Sequence, residues 1–172
     1  MLADDLLAAC EARFSQAITA RHSAAGDAAV TIAREGAVGV FRELRDDPTL
    51  AFNLLVDVTA VDYLGRTPRF EVVYHLYSMS HGHRLRVKIS VEEADPVVPS
   101  LTALWHGANW LEREVWDMFG IRFDGHPDLR RILMYPEFQG HPLRKDYPVS
   151  KRQPLVPERD PIEHPWRGGK RA

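Results

Sequence analysis

The sequence predicts an α+β fold: a two-layer domain with a mixed, mostly antiparallel sheet packed on helices, plus an extended C-terminal arm. Three observations carry this expectation. Period-two alternation of apolar residues recurs in three successive segments between Phe52 and Val91. Helical spacing of three and four flanks that block on both sides, and helices beside a run of paired strands make a two-layer domain. Beyond Phe123 all periodicity stops, and eight of the twelve prolines lie between Pro127 and Pro165.

The elements follow in order. Leu6, Leu7, Cys10, Phe14, Ala17 and Ile18 recur at helical steps and predict an amphipathic first helix. Gly26-Asp27 ends or follows it, and residues 29–33 make a short strand. Ala37, Val38, Val40, Phe41 and Leu44 predict a second helix, stopped at Asp46-Asp47-Pro48. Phe52, Leu54, Val56, Val58 and Ala60 alternate along one strand, with Leu55 and Val61 facing the other way. Phe70, Val72, Tyr74 and Leu76 alternate along a second strand. Leu85, Val87, Ile89 and Val91 alternate along a third against Arg84, Arg86, Lys88 and Ser90, so one face of it is wet. The turn material at residues 65–68 and 78–83 makes an antiparallel meander the simplest arrangement.

Pro96 and Pro99 mark a loop. Ser100 is placed to cap a short helix containing Leu101, Leu104 and Trp105. Asn109 is a good N-cap for a further helix, with Glu112 three residues on in the capping-box position. Its apolar stripe is Leu111, Val115, Met118 and Phe119, and Gly120 suits the C′ position. Residues 124–172 then form a proline-rich arm. Proline blocks helix interiors and sheet ladders, so the arm is extended or turning. Its first half carries Leu129, Ile132, Leu133, Met134, Tyr135, Phe138 and Tyr147, too apolar for a solvated linker. That half needs a surface to lie on. The division is therefore a domain over residues 1–123 and an arm over 124–172 that docks on a partner subunit.

Composition excludes several classes. One cysteine, Cys10, allows neither an internal disulfide nor an iron–sulfur cluster held by four cysteines of this chain. On its helical face it reads as a small buried hydrophobe. No apolar run approaches the roughly 20 residues that span a bilayer. The acidic N-terminus resembles neither a signal nor a transit peptide, so a cytoplasmic location, with membrane contact only through a partner, is expected. Charge is split. Residues 1–121 carry 11 basic and 17 acidic residues, and residues 122–172 carry 11 and 7. Acidic residues interleave with the arm's bases, which argues against a nucleic-acid footprint.

Residues 112–148 hold the candidates for chemistry. His126, Asp128 and His141 are potential metal ligands, but the short helical spacing and a third histidine are missing. Gly125-His126-Pro127 and Gly140-His141-Pro142 read instead as twin turns, each followed by a leucine and two bases. Glu112, Glu114, Asp117, Asp124 and Asp128 offer carboxylates for acid–base work, yet Glu112 and Glu114 diverge on a helix, and Arg113 is spaced to pair with Asp117. Arg130, Arg131, Arg144 and Lys145 suit an arginine-rich protein interface better than a phosphate site. His81 and His83 flank Gly82 on a hairpin tip and are expected in solvent.

Within this stretch, Glu112-Arg113-Glu114, Asp117-Met118-Phe119, His126 and Arg130-Arg131-Ile132-Leu133 resemble the signature of the C subunit of proton-pumping NADH:quinone oxidoreductase, respiratory complex I. Residues 140–148 and the upstream strand 55–63 are also similar to that family. The resemblance implies a non-catalytic member of the peripheral arm, on the cytoplasmic side of the bacterial inner membrane. It implies no cofactor in this chain, with FMN, iron–sulfur clusters and quinone on partner subunits. It implies packing on the large quinone-site subunit, designated D, and also on the B and I subunits. The residues it marks for partner contact are Glu112, Arg113, Glu114, Asp117, His126, Asp128, Arg130, Arg131, His141, Arg144, Lys145, Asp146 and Tyr147. The alternatives are the equivalent subunit of a membrane-bound hydrogenase, or a metal-dependent hydrolase using His126, Asp128 and His141.

Overall fold

A computed structural model describes residues 2–156, so the remainder of the expected arm, residues 157–172, lies outside the described residues. The fold is α+β, as expected. In chain order it runs α1 (Ala3–Phe14), β1 (Ile18–Ala24), β2 (Asp27–Ile32), α2 (Ala37–Asp46), β3 (Leu54–Asp62), β4 (Phe70–Tyr77), β5 (Arg84–Val91), β6 (Val97–Pro99), α3 (Ala108–Phe119) and β7 (Arg122–Asp124). Five strands form one sheet in the order β1-β2-β5-β4-β3, and β6 pairs with β7 in a small second sheet. Within the large sheet only β2 and β5 run parallel.

The alternation on β4 and β5 builds the core. Phe70, Val72, Tyr74 and Leu76 meet Leu85, Val87, Ile89 and Val91 on one buried face. Leu6, Cys10 and Phe14 of α1, Phe41 and Leu44 of α2, and Val115 and Met118 of α3 cover that face as a single cluster. Phe41, 0% exposed, is the common neighbour of two aromatics, 4.8 Å from Tyr74 and 6.2 Å edge-on from Trp105. It ties α2 to the sheet and to the segment before α3.

Several local expectations are corrected. The first helix ends at Phe14, and Ile18 opens β1, which the sequence pattern missed. β1 is an edge strand with no buried side chain, so it carries no alternation to read. Gly26 follows no helix end. With Ala25 (φ 53°) it forms the two-residue turn between β1 and β2, both residues at the positive φ of a type I′ hairpin (Gly26 φ 84°). In β3 the register shifts between Leu55 and Asp57, which buries Leu55 and leaves Leu54 and Val56 exposed. A bulge reverses which side of the strand faces inward, so the early part of the expected alternation is inverted.

The segment after Ser100 is a single turn closed by Trp105 N–H on the Leu101 carbonyl. The expected capping box is also absent. Gly107 is the N-cap of α3, Asn109 lies within the helix, and Glu112 reaches across to Leu101 and Ser100. The C-terminal expectation holds: Gly120 takes φ 80° and its N–H bonds the Trp116 carbonyl. His83 is buried, against the expected solvent exposure, with Nε2 2.8 Å from the Leu50 carbonyl and its ring against Phe52.

Replacing Phe41 with alanine removes the ring shared by Tyr74 and Trp105. A loss of about 3–5 kcal/mol in unfolding free energy is expected, measured by denaturant titration with an unchanged slope.

Candidate partner interface

The site is built from the outward face of α3 and the arm folded over it. Asp117 lies on α3 opposite the core stripe, yet it is 0% exposed because the arm covers it. Its Oδ2 accepts three successive backbone N–H groups, from Ile132 at 3.1 Å and from Leu133 and Met134 at 2.9 Å each. Its Oδ1 accepts from the Arg131 guanidinium. Burial would raise the carboxyl's pKa, but the Met134 N–H, Arg131 and the other two amides outweigh it and hold the group below its ordinary value.

Arg131 extends this hub. Its second nitrogen donates to the carbonyls of Phe138 at 2.8 Å and Gly140 at 3.0 Å, and its guanidinium lies over the rings of Trp116 and Phe138. Arg113, expected to pair with Asp117, instead donates to the Arg130 and Arg131 carbonyls, both at 3.0 Å. Asp117 already has a closer cation, and Arg113 holds the arm by its backbone. His141 lies 3.0 Å from the Asp117 carbonyl through Nδ1. Leu143 N–H bonds the Met118 carbonyl at 3.0 Å, which satisfies an orphan acceptor at the helix end. Gly120 is required here twice over: its φ is +80°, and a Cβ would sit 2.7 Å from the His141 ring.

A second anchor holds the arm farther along. Arg69, buried, donates bidentately to Asp62, with contacts of 2.9 and 2.8 Å. It also contacts Asp146 through two pairs at 3.0 Å. Asp62 Oδ2 accepts the Lys145 N–H at 2.8 Å, and Arg144 donates to Glu93 at 2.8 Å. Arg69 is foremost in holding the Asp146 carboxyl down at about 2. Tyr147 stacks on Phe138 with ring centroids 5.9 Å apart, and its hydroxyl accepts from the Gln153 amide.

The marked residues thus divide. Glu112 and Asp117 face the interior of the chain itself. Arg113, Arg131, His141, Arg144, Asp146 and Tyr147 hold arm to body or arm to arm. His126 Nε2 donates to the Asn109 carbonyl at 3.0 Å, because its Nδ1 accepts the Asp128 N–H. Glu114, Asp128, Arg130 and Lys145 point to solvent. Among the described residues no group of three His, Cys, Asp or Glu is placed to hold a metal. Sequence reasoning missed Asp62, Arg69 and Glu93. An Arg seven residues from an Asp carries no local signal until β3 and β4 pair and set the two side by side.

Asp117→Asn keeps one acceptor and removes the charge that Arg131 is buried against. Breaking such a pair costs about 3–5 kcal/mol. The variant should be cleaved by trypsin after Arg131 under conditions where the parent chain is not, with the fragments identified by mass. Identical digestion of both would contradict this account of the anchor.

Comparison with known proteins agrees with the geometry. Residues 30–153 match the family described as respiratory-chain NADH dehydrogenase, 30 Kd subunit. The NADH-quinone oxidoreductase C subunit of Roseiflexus castenholzii is 51% identical over 148 residues, 86% of this chain and 85% of that one. The C subunit of Geobacter sulfurreducens is 50% identical over 139 residues, 80% and 82% of the two chains. A trypsin-resistant fragment (1-134) of Nqo5 superposes with a TM-score of 0.64 at 36% identity, covering 73% of this chain and 98% of that one. A chain of the membrane-bound sulfane sulfur reductase, an archaeal respiratory membrane complex, shares the fold, with a TM-score of 0.70, 22% identity and 86% of each chain covered. The chain belongs to the family of NADH-quinone oxidoreductase C subunits, the 30 Kd component of respiratory complex I.

Proposed function

We propose that this chain is a non-catalytic docking subunit of complex I, which presents the arm beginning at residue 124 to the large quinone-site subunit, with the B and I subunits as further neighbours. The observation that carries this reading is the division of labour along the arm. Its buried polar groups are engaged in holding it to α3 and to the ends of β3 and β4. Its outer side leaves Leu133 56% exposed and Leu143 54% exposed, beside Tyr135, with Arg130 and Lys145 in solvent. Exposed apolar and aromatic side chains beside arginine suit the core and rim of a protein-binding surface.

FMN, the iron–sulfur clusters and quinone belong on partner subunits in this reading. A single cysteine cannot supply the four thiolates of a cluster. The His126 and His141 rings are held by backbone groups and serve turn geometry. No helix among the described residues is long and apolar enough to cross a membrane. The attachment in this reading is peripheral, on the cytoplasmic side of the inner membrane, through the complex.

Leu133→Asp with Leu143→Asp should leave the thermal midpoint of the lone chain within a few degrees of the parent. The same pair should cut the yield of assembled complex severalfold in native gels of membranes. Full assembly with the double variant, or turnover of NADH by the purified chain alone, would overturn the proposal.

A further inference from the structure

Glu112 is a carboxyl group with no exposure, on the core side of α3, that takes no part in holding the arm. Its Oε1 accepts the Leu101 N–H at 2.7 Å and its Oε2 lies 2.7 Å from Ser100 Oγ. Ser100 Oγ in turn lies 2.9 Å from Thr102 Oγ1, with either oxygen able to donate, and also accepts the Thr102 N–H at 3.2 Å. Ser100 and Thr102 are both partly exposed. Among the described residues no cation acts on Glu112. From β4 the titratable neighbour is Tyr74, whose buried hydroxyl has no protein partner among the described residues. Phe41 of α2 packs against the Tyr74 ring and edge-on against Trp105, whose Nε1–H is likewise buried without a partner among the described residues.

We propose that Glu112 is a reversible proton-binding site inside the domain, connected to solvent by the Ser100–Thr102 hydroxyl chain. The chain is satisfied in both protonation states. When Glu112 is ionised, Ser100 O–H donates to Oε2 and Thr102 O–H donates to Ser100. When Glu112 is protonated, Oε2–H donates to Ser100 and Ser100 O–H donates to Thr102. Release therefore moves the Oε2 proton to Ser100 Oγ, the Ser100 proton to Thr102 Oγ1 and the Thr102 proton to water. Each hydroxyl ends neutral, and the net change is one proton passed from Glu112 to solvent.

Burial, opposed by the Ser100 and Leu101 hydrogen bonds, raises the carboxyl to about 7. A folded-state pKa above the unfolded value means that the stabilising proton is fully present below the ordinary carboxyl pKa. That contribution is lost as pH rises through about 7.

The test is a 13C NMR titration of the Glu112 carboxyl in the full chain. A midpoint near 7 is expected. Ser100→Ala removes a donor to the carboxylate and should raise the midpoint. Thr102→Val removes the solvent-side link of the chain, which partners Ser100 in both protonation states, and should slow exchange between them, read as broadening of the Glu112 signal near its midpoint. The parent's denaturant midpoint should decline between pH 5 and pH 8, and Glu112→Gln should abolish that decline. An ordinary carboxyl midpoint, a midpoint unmoved by Ser100→Ala, an unbroadened signal in Thr102→Val, or an unchanged decline in the glutamine variant would each overturn the proposal.

Discussion

A carboxylate shut away from water must be neutralised and must have its lone pairs filled, because an unpaired buried charge costs several kcal/mol or more. Asp117 is in that position, 0% exposed on the outward face of α3. What satisfies it lies 14–17 residues downstream: the guanidinium of Arg131 and the amides of Ile132, Leu133 and Met134. The same guanidinium then fixes the carbonyls of Phe138 and Gly140. His141 and Leu143 close on the last turn of the helix, where Gly120 leaves room. The course of a segment without regular structure is thus dictated by one helix residue and the orphan carbonyls next to it.

The Asp62–Arg69–Asp146 cluster makes that course rigid at a second place. Asp62 ends β3 and Arg69 precedes β4, so the sheet's own pairing sets the buried cation where the arm's Asp146 and Lys145 arrive. Two separated anchors constrain a chain far more than one, since the segment between them loses its freedom when the fold forms. The exposed leucines at 133 and 143 are carried on that held segment. An interface presented in this way has less ordering entropy left to lose when a partner arrives.

Much of this was legible in the amino-acid order. The alternation of β4 and β5, the apolar faces of α1 and α2 and the glycine stop of α3 all rest on local periodicity and capping, which act within a few residues. The charge density at 112–148, expected to face a partner, includes Asp117, Arg131, Arg144 and Asp146, which are engaged within the chain. Two of the failures share a physical source: pairings made across the fold override local rules. Glu112 sits where a capping box would use it, but Ser100 and Leu101 are nearer in space. Arg113 is spaced for Asp117, but Arg131 arrives closer and Arg113 takes backbone carbonyls instead. Leu54 and Val56 alternate with the core residues of β3 until a bulge exposes them. β1, exposed from Thr19 to Ala24 with Ile18 alone half-buried, has no pattern from which it could be read.

Asp117 holds the arm on its own domain before any partner is present. Amide hydrogen exchange at Ile132, Leu133 and Met134 in the lone full-length chain tests it most directly. Protection at these three amides comparable to that of the α3 interior is expected, because opening them requires exposing the Asp117 charge. Exchange at the rate of an unstructured peptide, with α3 still protected, would contradict it.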